Sequence, residues 1–418
     1  MARSALHLKR VLVLVLTALT AVLVGGCGGG DSGQGGAAAG TAAAENAAQA
    51  PKADLDAAFE ASFEETGAPG VVAAVQTPGY TWEGVRGVAD LDTREPMTTD
   101  VHQRVGSVTK TFTGTLLLQA EAKGLLSLDD TIDQYIKDVP NGDEITLRQL
   151  ADMTSGLSSY TFDEGFQDEL FSHPGRERKP EELVRIGLES PPAFDPGTEF
   201  LYSNTNTVLL GLVLQRATGR PIGELYREQI IEPLGLRGTS FPDAADSSLP
   251  DPHAQGYTLQ GQEDGKPAAA TDWNPSWGFA AGAMISTLDD LLVYGRALGT
   301  GEGLLPPEQQ AERLGSFPGE DVPPNTAERA YGLGIGREYG WLGHTGELPG
   351  YNTAVYYHPD LDATVVVEVN SDIPSGDCPD DMPTMSDGPR GIPCANPAVR
   401  IFGALAGALG KPTQDPSQ

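Results

Sequence analysis

The sequence predicts a mixed α/β (α+β) fold, in which one antiparallel sheet is flanked by helices and a mainly helical lobe is inserted between its strands. Apolar and alternating runs that are typical of strands occur near both ends of the chain. Between them, residues of about 116–280 show helical spacing interrupted by loops. The two ends of the chain are therefore expected to meet in one sheet, with the lobe outside it.

The first elements are a helix and a hairpin. An amphipathic pattern predicts a helix over residues 55–66, and residues 70–77 and 80–88 read as two strands joined by a Pro-Gly turn. Apolar residues then recur at helical spacing from Val108 to Ala120, and Gly124 supplies a stop signal. A long helix is therefore expected directly after the hairpin region.

Capping residues, helix-breaking residues and apolar runs predict the elements of the inserted lobe and of the C-terminal part. Thr146 and Gln149 form a capping box, and Thr287 with Asp290 is expected to cap a helix through Leu298. Other predicted helices are the segment from Asn204 to Gly219, residues 222–232 with Pro233 as the stop, and the segment from Pro397 to Leu409. Returning strands are predicted over residues 339–345, 353–357 and 363–370.

The charge balance is strongly acidic. Lys and Arg number 27 and Asp and Glu number 58, which gives a formal net charge of −31. This charge argues against binding to nucleic acid or to anionic membrane surfaces. Solubility alone is a sufficient explanation of the charge.

The N-terminus is expected to direct export. Residues 1–26 combine a basic start with an apolar run, residues 11–24, that is shorter than the roughly 20 residues of a spanning helix. The run ends at Cys27 in a pattern that resembles the lipobox of bacterial lipoproteins, so lipid on Cys27 would anchor the protein outside the membrane. A plain signal peptide with an incidental cysteine is the alternative. Residues 27–52 read as a disordered Gly/Ala-rich linker, and residues 53–412 as one domain.

Two further cysteines lie close together in a segment rich in Pro, Gly and Asp. An exported compartment permits disulfides, so Cys378 and Cys394 are predicted to pair. Two free thiols are the alternative.

The candidate nucleophile lies where the long helix begins. Ser107 and Lys110 are three residues apart, so both lie on one face of the first turns. The helix N-terminus favours negative charge near Ser107, and a desolvated Lys110 could accept the hydroxyl proton. A single S-x-x-K match often arises by chance, so the hypothesis depends on further motifs.

Two such motifs follow in the sequence, Tyr202-Ser-Asn204 before a helix and His344-Thr345-Gly346 in a predicted strand. The ordered set resembles the penicillin-recognising serine hydrolases, the β-lactamase/transpeptidase-like fold of class C β-lactamases and D-alanyl-D-alanine carboxypeptidases. Flanking segments extend the resemblance over nearly all of residues 53–410; they are residues 153–157, 194–197, 281–286 and 331–334.

The resemblance implies a role for each motif. Ser107 would form an acyl-enzyme, with Lys110 and Tyr202 sharing the proton transfers and Lys110 and His344 as the cations that a basic tyrosine needs. Other expected roles are substrate contacts from Asn204, which could alternatively hold Lys110; an oxyanion hole from the backbone N–H groups of Ser107 and Glu347; carboxylate binding by Thr345; and a pocket wall, or core packing, from Trp277. His344 could also be a structural histidine.

The substrate is expected to be a small peptide or a β-lactam-like molecule, with peptidoglycan as its source. His344 in place of lysine resembles the carboxypeptidase branch, but Glu347 stands where the family often has Ser or Thr. An acid there would repel a terminal carboxylate unless Arg337 compensates. An esterase or β-lactamase using the same residues, and a non-catalytic binding lipoprotein, remain alternatives. No metal site and no cofactor are expected, because neither metal-ligand spacing nor a phosphate-binding glycine loop occurs.

Overall fold

A computed structural model describes residues 52–262, 265–379, 382–385 and 388–414. The predicted signal peptide, Cys27 and the linker up to residue 51 lie outside the described residues. Within the described part, no helix combines the length and the apolar character needed to cross a membrane.

Seven strands form one antiparallel sheet, in the order β2-β1-β11-β10-β9-β8-β7. Strand β1 pairs with β11, where Val71 lies opposite Val369, so the two ends of the chain meet as predicted. Two short pairs, β3 with β6 and β4 with β5, lie outside this sheet. In chain order the strands of the described residues are β1 (Gly70–Gln76), β2 (Thr81–Gly87), β3 (Gln103–Arg104), β4 (Tyr257–Thr258), β5 (Ala268–Ala269), β6 (Ile285–Ser286), β7 (Arg329–Tyr331), β8 (Gly336–Glu338), β9 (Trp341–Leu348), β10 (Tyr351–His358) and β11 (Ala363–Val369).

Helices flank the sheet and build the inserted lobe, which confirms the predicted fold class. They are α1 (Lys52–Thr66), α2 (Thr109–Ala122), α3 (Leu147–Ala151), α4 (Glu164–Ser172), α5 (Pro180–Glu189), α6 (Asn204–Thr218), α7 (Ile222–Tyr226), α8 (Glu232–Leu234), α9 (Phe279–Gly282), α10 (Leu288–Thr300), α11 (Pro307–Gly315) and α12 (Pro397–Ala408).

The two faces of the sheet are both buried, against different partners. On one face, α1 and α12 cover a set of apolar side chains that we call the back core; it includes Leu55, Phe59, Trp82, Trp341, Val365, Val367, Phe402 and Leu405. On the other face, α2, α6 and α10 contribute to the front core, which includes Phe112, Leu117, Val208, Leu291 and Val366. Strand β11 is apolar at successive positions because its side chains alternate between these cores.

One predicted cap and two predicted boundaries were wrong. Thr287 precedes α10 but makes no side-chain cap, because the carboxylate of Asp290 accepts bonds from Gly238 N and Thr239 Oγ1, each 2.8 Å long. Pro233 lies inside α8 instead of ending the preceding helix, since a proline is tolerated in a first helical turn. Strand β9 continues to Leu348 because residues 342–348 pair with β10.

The predicted disulfide is present. Cys378 and Cys394 are bonded, with their Cα atoms 4.6 Å apart. The bond closes a loop in the segment between β11 and α12.

Candidate active site

A tight turn presents Ser107 at the start of α2. The short strand β3 before it pairs with β6, and Val105 N donates to Met284 O over 3.0 Å. Gly106 then adopts a φ of +51° and begins a 3₁₀ turn, Gly106–Val108, that continues into α2. The serine is therefore fixed by backbone contacts on both sides.

Lys110 reaches the serine from the following turn. Its Nζ atom lies 2.8 Å from Ser107 Oγ and donates to the Ala281 carbonyl over 2.8 Å. The side chain is 1% exposed, and burial lowers the pKa of Lys110 well below that of an ordinary lysine. A neutral amine beside a serine hydroxyl can accept its proton.

Tyr202 completes a cluster of three side chains. The Lys110 Nζ atom lies 4.9 Å from the centre of the Tyr202 ring, and the Tyr202 hydroxyl is hydrogen-bonded to Ser107. Burial raises the pKa of Tyr202, and this outweighs the lowering effect of the Ser107 hydrogen bond. The phenol is therefore protonated at neutral pH and is suited to donate a proton.

His344 is placed in the site but is not the expected cation. Burial, and then the charge of Lys110, lower the pKa of His344 to about 3. Its Nε2 atom lies 3.0 Å from the Tyr331 hydroxyl, and its Nδ1 atom is hydrogen-bonded to the Thr345 carbonyl. A neutral ring with its proton on Nδ1 satisfies both bonds, the Tyr331 hydroxyl being the donor to Nε2. The expectation that His344 lowers the Tyr202 pKa as a cation was therefore wrong, because the imidazole is desolvated.

Strand β9 passes very close to the Ser107 turn. A Cβ atom added to Gly346 would lie 1.8 Å from Val105 O and 3.1 Å from Ser107 N, and one added to Gly106 would lie 2.5 Å from Glu347 N. Only glycines permit this approach. It brings the backbone nitrogens of Ser107 and Glu347 into one small region, as an oxyanion hole requires.

These groups open into a small cavity of about 50 Å³. Among the predicted residues, Ser107, Tyr202, Asn204, Trp277, His344, Thr345 and Glu347 line it. Asn204 donates to Thr161 Oγ1 over 3.1 Å instead of holding Lys110. Trp277 is 5% exposed and belongs to the front core as well as to the cavity wall.

Glu347 belongs to a second group of polar side chains beside the cavity. Its carboxyl group accepts hydrogen bonds from Asn396 Nδ2 and, over 3.4 Å, from Gln260 Nε2. The same Gln260 nitrogen donates to Asp372 Oδ2 over 2.5 Å. Burial, and then the neighbouring Asp372, raise the pKa of Glu347 well above its usual range, and burial raises that of Asp372 to about 6.

Arg337 takes no part in this group. Its guanidinium carbon lies 4.6 Å from the centre of the Phe317 ring, and its Nη2 donates to Thr326 O over 3.3 Å. The suggestion that Arg337 compensates the charge of Glu347 finds no support in these contacts.

Sequence reasoning missed several residues of the site. Tyr160 lines the cavity and donates to the Trp277 carbonyl over 2.6 Å, and Tyr331 orients His344. The segments 281–286 and 331–334 had been noted only as flanking matches, although they hold the Ala281 carbonyl and Tyr331. The described residues contain no group of three or more His, Cys, Asp or Glu side chains that could hold a metal ion.

A serine hydroxyl bonded to a buried lysine and a phenol, beside a sheet with an inserted helical lobe, defines a penicillin-recognising serine hydrolase. The chain belongs to the beta-lactamase family, whose model matches residues 55–384.

Several known proteins are similar to it. A D-stereospecific amidohydrolase from a Streptomyces species is 32% identical, with a TM-score of 0.67 over 79% of this chain and 94% of that one. A D-amino acid amidase from Ochrobactrum anthropi SV3 is 25% identical, with a TM-score of 0.68 over 85% and 99%.

Among curated relatives, the esterase EstB of Burkholderia gladioli is 30% identical over 61% of this chain and 71% of its own length. A β-lactamase of Pseudomonas fluorescens is also 30% identical, over 50% of this chain and 55% of its own. The chain thus spans about half the length of that β-lactamase.

Proposed function

We propose that this protein is an exported, lipid-anchored serine hydrolase that cleaves amide bonds of D-amino-acid peptides from the cell wall, in the manner of a D-alanyl-D-alanine carboxypeptidase. The observation that carries the proposal is the 2.8 Å contact between Ser107 Oγ and Lys110, whose pKa burial lowers well below that of an ordinary lysine. The similarity to a D-stereospecific amidohydrolase and a D-amino acid amidase favours amide bonds next to a D-residue.

Acylation follows from the positions of three side chains. Lys110 accepts the proton as Ser107 Oγ attacks the substrate carbonyl, and the negative charge on the carbonyl oxygen falls beside the nitrogens of Ser107 and Glu347. Tyr202, which is protonated, donates to the leaving nitrogen and regains a proton from Lys110. The bond to the leaving amine breaks and an ester to Ser107 remains.

Deacylation reverses the proton transfers. A water molecule replaces the departed amine and gives a proton to the Tyr202–Lys110 pair as it attacks the ester. Ser107 recovers its proton, and the acid product leaves. Lys110 and Tyr202 act as one unit, since their side chains are in contact.

Anchoring at Cys27 is part of the proposal, because the sequence before it has the features of a lipoprotein signal. Metabolic labelling with a fatty acid is expected to mark the wild-type protein and not Cys27→Ser. Equal labelling of both proteins would exclude this cysteine as the anchor.

An esterase is the second candidate. The observation that favours it is the 30% identity to EstB over 71% of the length of that esterase. Activated esters need less help to their leaving group than amides do, so a cleft with a Ser–Lys–Tyr cluster would also cleave them.

The test is the intact mass of the detergent-solubilised full chain after incubation with benzylpenicillin, a D-alanyl-D-alanine peptide or a p-nitrophenyl ester, beside Ser107→Ala. A covalent adduct or turnover that the variant lacks is the expected result. Stable penicillin adducts would favour a peptidase, rapid loss of the drug a β-lactamase, and turnover of the ester alone the esterase. No adduct and no turnover with any of them would leave a binding protein.

A further inference from the structure

An acidic pair lies next to the reacting groups and takes no part in the proton transfers described above. Glu347 and Asp372 are joined by Gln260, whose side-chain nitrogen is within hydrogen-bond distance of both carboxyl groups. Gln260 and Asp372 are buried, whereas Glu347 is partly exposed and lines the cavity. Glu347 is therefore the member of the pair that a substrate can reach.

The groups that hydrogen-bond the pair are neutral donors. Asn396 donates to Glu347, and Thr258 Oγ1 and Gly350 N donate to Asp372 over 2.9 and 3.1 Å. Neutral donors stabilise a carboxylate but do not cancel its charge. Two acids this close together are more stable when a positive charge lies beside them.

The cavity has no such charge of its own. Among the residues that the structure describes, none of the side chains lining the cavity is Lys or Arg. His344 is neutral, and the Lys110 Nζ atom is hydrogen-bonded to Ser107 and to the Ala281 carbonyl. The lining also includes the rings of Tyr160, Tyr202 and Trp277, and aromatic rings attract cations.

We propose that Glu347 is a specificity-determining residue that binds an ammonium group of the substrate close to the scissile bond. This inference rests on the acyl-enzyme chemistry of the proposed function, and it replaces the carboxypeptidase-like substrate of that proposal with one that carries an amine. The selected substrates are amides or peptides that carry a free amine within one residue of the bond cleaved. Substrates with a carboxylate at that place are disfavoured, in contrast to a carboxypeptidase reaction.

The position of Glu347 sets the distance between the charge and the chemistry. Its backbone nitrogen lies in the region where the carbonyl oxygen of the substrate would sit, and its side chain starts from the same residue. Because the carboxyl group belongs to the same residue and Glu347 lines the cavity, a substrate group that it binds lies near the reacting carbonyl.

Burial and Asp372 raise the pKa of Glu347 well above its usual range. An ammonium group bound beside Glu347 would supply the positive charge that favours its carboxylate form. A substrate carboxylate would instead add a third acid to the pair.

The test compares matched substrates with an ammonium, a neutral or a carboxylate group. On the acyl side these are the p-nitroanilides of D-alanine, N-acetyl-D-alanine and N-succinyl-D-alanine. On the leaving-group side they are N-acetyl-D-alanine amides of ethylenediamine, ethanolamine and glycine. We expect wild-type protein to prefer the ammonium member in at least one series.

Glu347→Gln keeps the size and the hydrogen-bonding atoms but removes the charge. We expect it to lower kcat/KM for the preferred ammonium substrate by about 10- to 100-fold, mainly through KM, and to change kcat/KM for its neutral partner by less than about threefold. The matched control is Glu338→Gln on β8, which removes a carboxyl group that is paired with Arg329 outside the cavity lining. This control should leave the ratios of kcat/KM between the substrates as they are in wild type.

Two results would overturn the inference while leaving the proposed function intact. One is a Glu347→Gln variant that loses activity equally on all six substrates, as a merely structural residue would. The other is wild-type protein that cleaves the neutral or carboxylate members of both series best. Failure of the proposed function is a different result, in which wild type and Ser107→Ala are equally inactive on every substrate.

Discussion

The back core and the cavity on the other side of β9 are both largely closed to solvent, yet they are built from opposite kinds of residue. In the back core, Trp341 packs edge-on against Phe402 at 5.4 Å, and Phe402 stacks on Tyr356 at 4.4 Å. The active site around the cavity instead holds a lysine, a histidine and a glutamate in positions where burial shifts each pKa toward its neutral form.

This difference in composition means that the back core stabilises the fold, whereas the groups around the cavity provide the reactivity. Burying apolar side chains stabilises the fold, whereas burying ionisable groups costs free energy that the fold must supply from elsewhere. Variants in the back core should therefore alter unfolding and leave chemistry alone. Variants in the cavity should do the reverse.

The largest effect is expected for Lys110→Met, which keeps the length of the side chain but removes the proton acceptor. We expect kcat/KM to fall by about 100- to 10,000-fold, the usual contribution of a positioned base. The melting temperature should stay equal or rise, because a desolvated amine is replaced by an apolar group. A melting temperature that falls along with activity would show that the cavity also stabilises the fold.

The next effect belongs to the back core. Phe402→Ala removes a side chain that is 1% exposed and should lower the free energy of unfolding by about 3–5 kcal/mol. Urea titration measures the loss, and kcat/KM per folded molecule at a low temperature should match wild type. A large drop in kcat/KM of the folded protein would contradict the separation.

Gly346→Ala tests the close approach of β9 to the Ser107 turn. The added methyl group would meet Val105 O, so the strand must move away from the nucleophile. We expect kcat/KM to fall by about 100-fold, the cost of a misplacement of about 1 Å. The control is Gly407→Ala in α12, where an added Cβ atom meets nothing within 4 Å, and its kcat/KM should equal that of wild type. Equal rates in both variants would mean that the oxyanion hole does not depend on this contact.

The smallest effect is a pH dependence of stability. The pKa of His344 is about 3 in the folded protein and near 6.5 when unfolded, so the unfolded chain takes up the proton first as pH falls. The contribution of His344 is fully present above pH 6.5 and is lost on acidification. Between pH 6.5 and 5, the free energy of unfolding of wild type should fall by up to about 2 kcal/mol relative to that of His344→Gln. Urea titration at each pH measures both values. Parallel curves for the two proteins would show a solvated imidazole.

Local patterns were sufficient to predict five of the seven strands of the sheet and the helices α1, α2, α6, α10 and α12, but not β7, β8, α4, α5 or α11. The hairpin, the Thr146–Gln149 capping box and the helix ending at Gly219 depend on neighbours within a few residues, and the structure has all three. The nucleophile turn was also predictable, since Ser107 and Lys110 lie one turn apart.

Contacts between distant segments were not predictable in the same way. Gln260 and Asp372 are 112 residues apart in sequence, and neither carries a motif. Asp290 looked like a helix cap, but its carboxylate bonds Thr239, 51 residues away. The pKa of a side chain depends on such neighbours and on burial, which explains why His344 was taken for a cation.

The close approach of β9 to the Ser107 turn has a consequence for how the protein is made. Ribosomes deliver Ser107 early, whereas its partners on β9 follow on the order of 240 residues later, and long loops must close before such contacts form. Lys110 likewise waits for Ala281, 171 residues downstream. A growing chain therefore carries Ser107 and Lys110 before their surroundings exist, and hydrolytic activity arises only after β9 has been made.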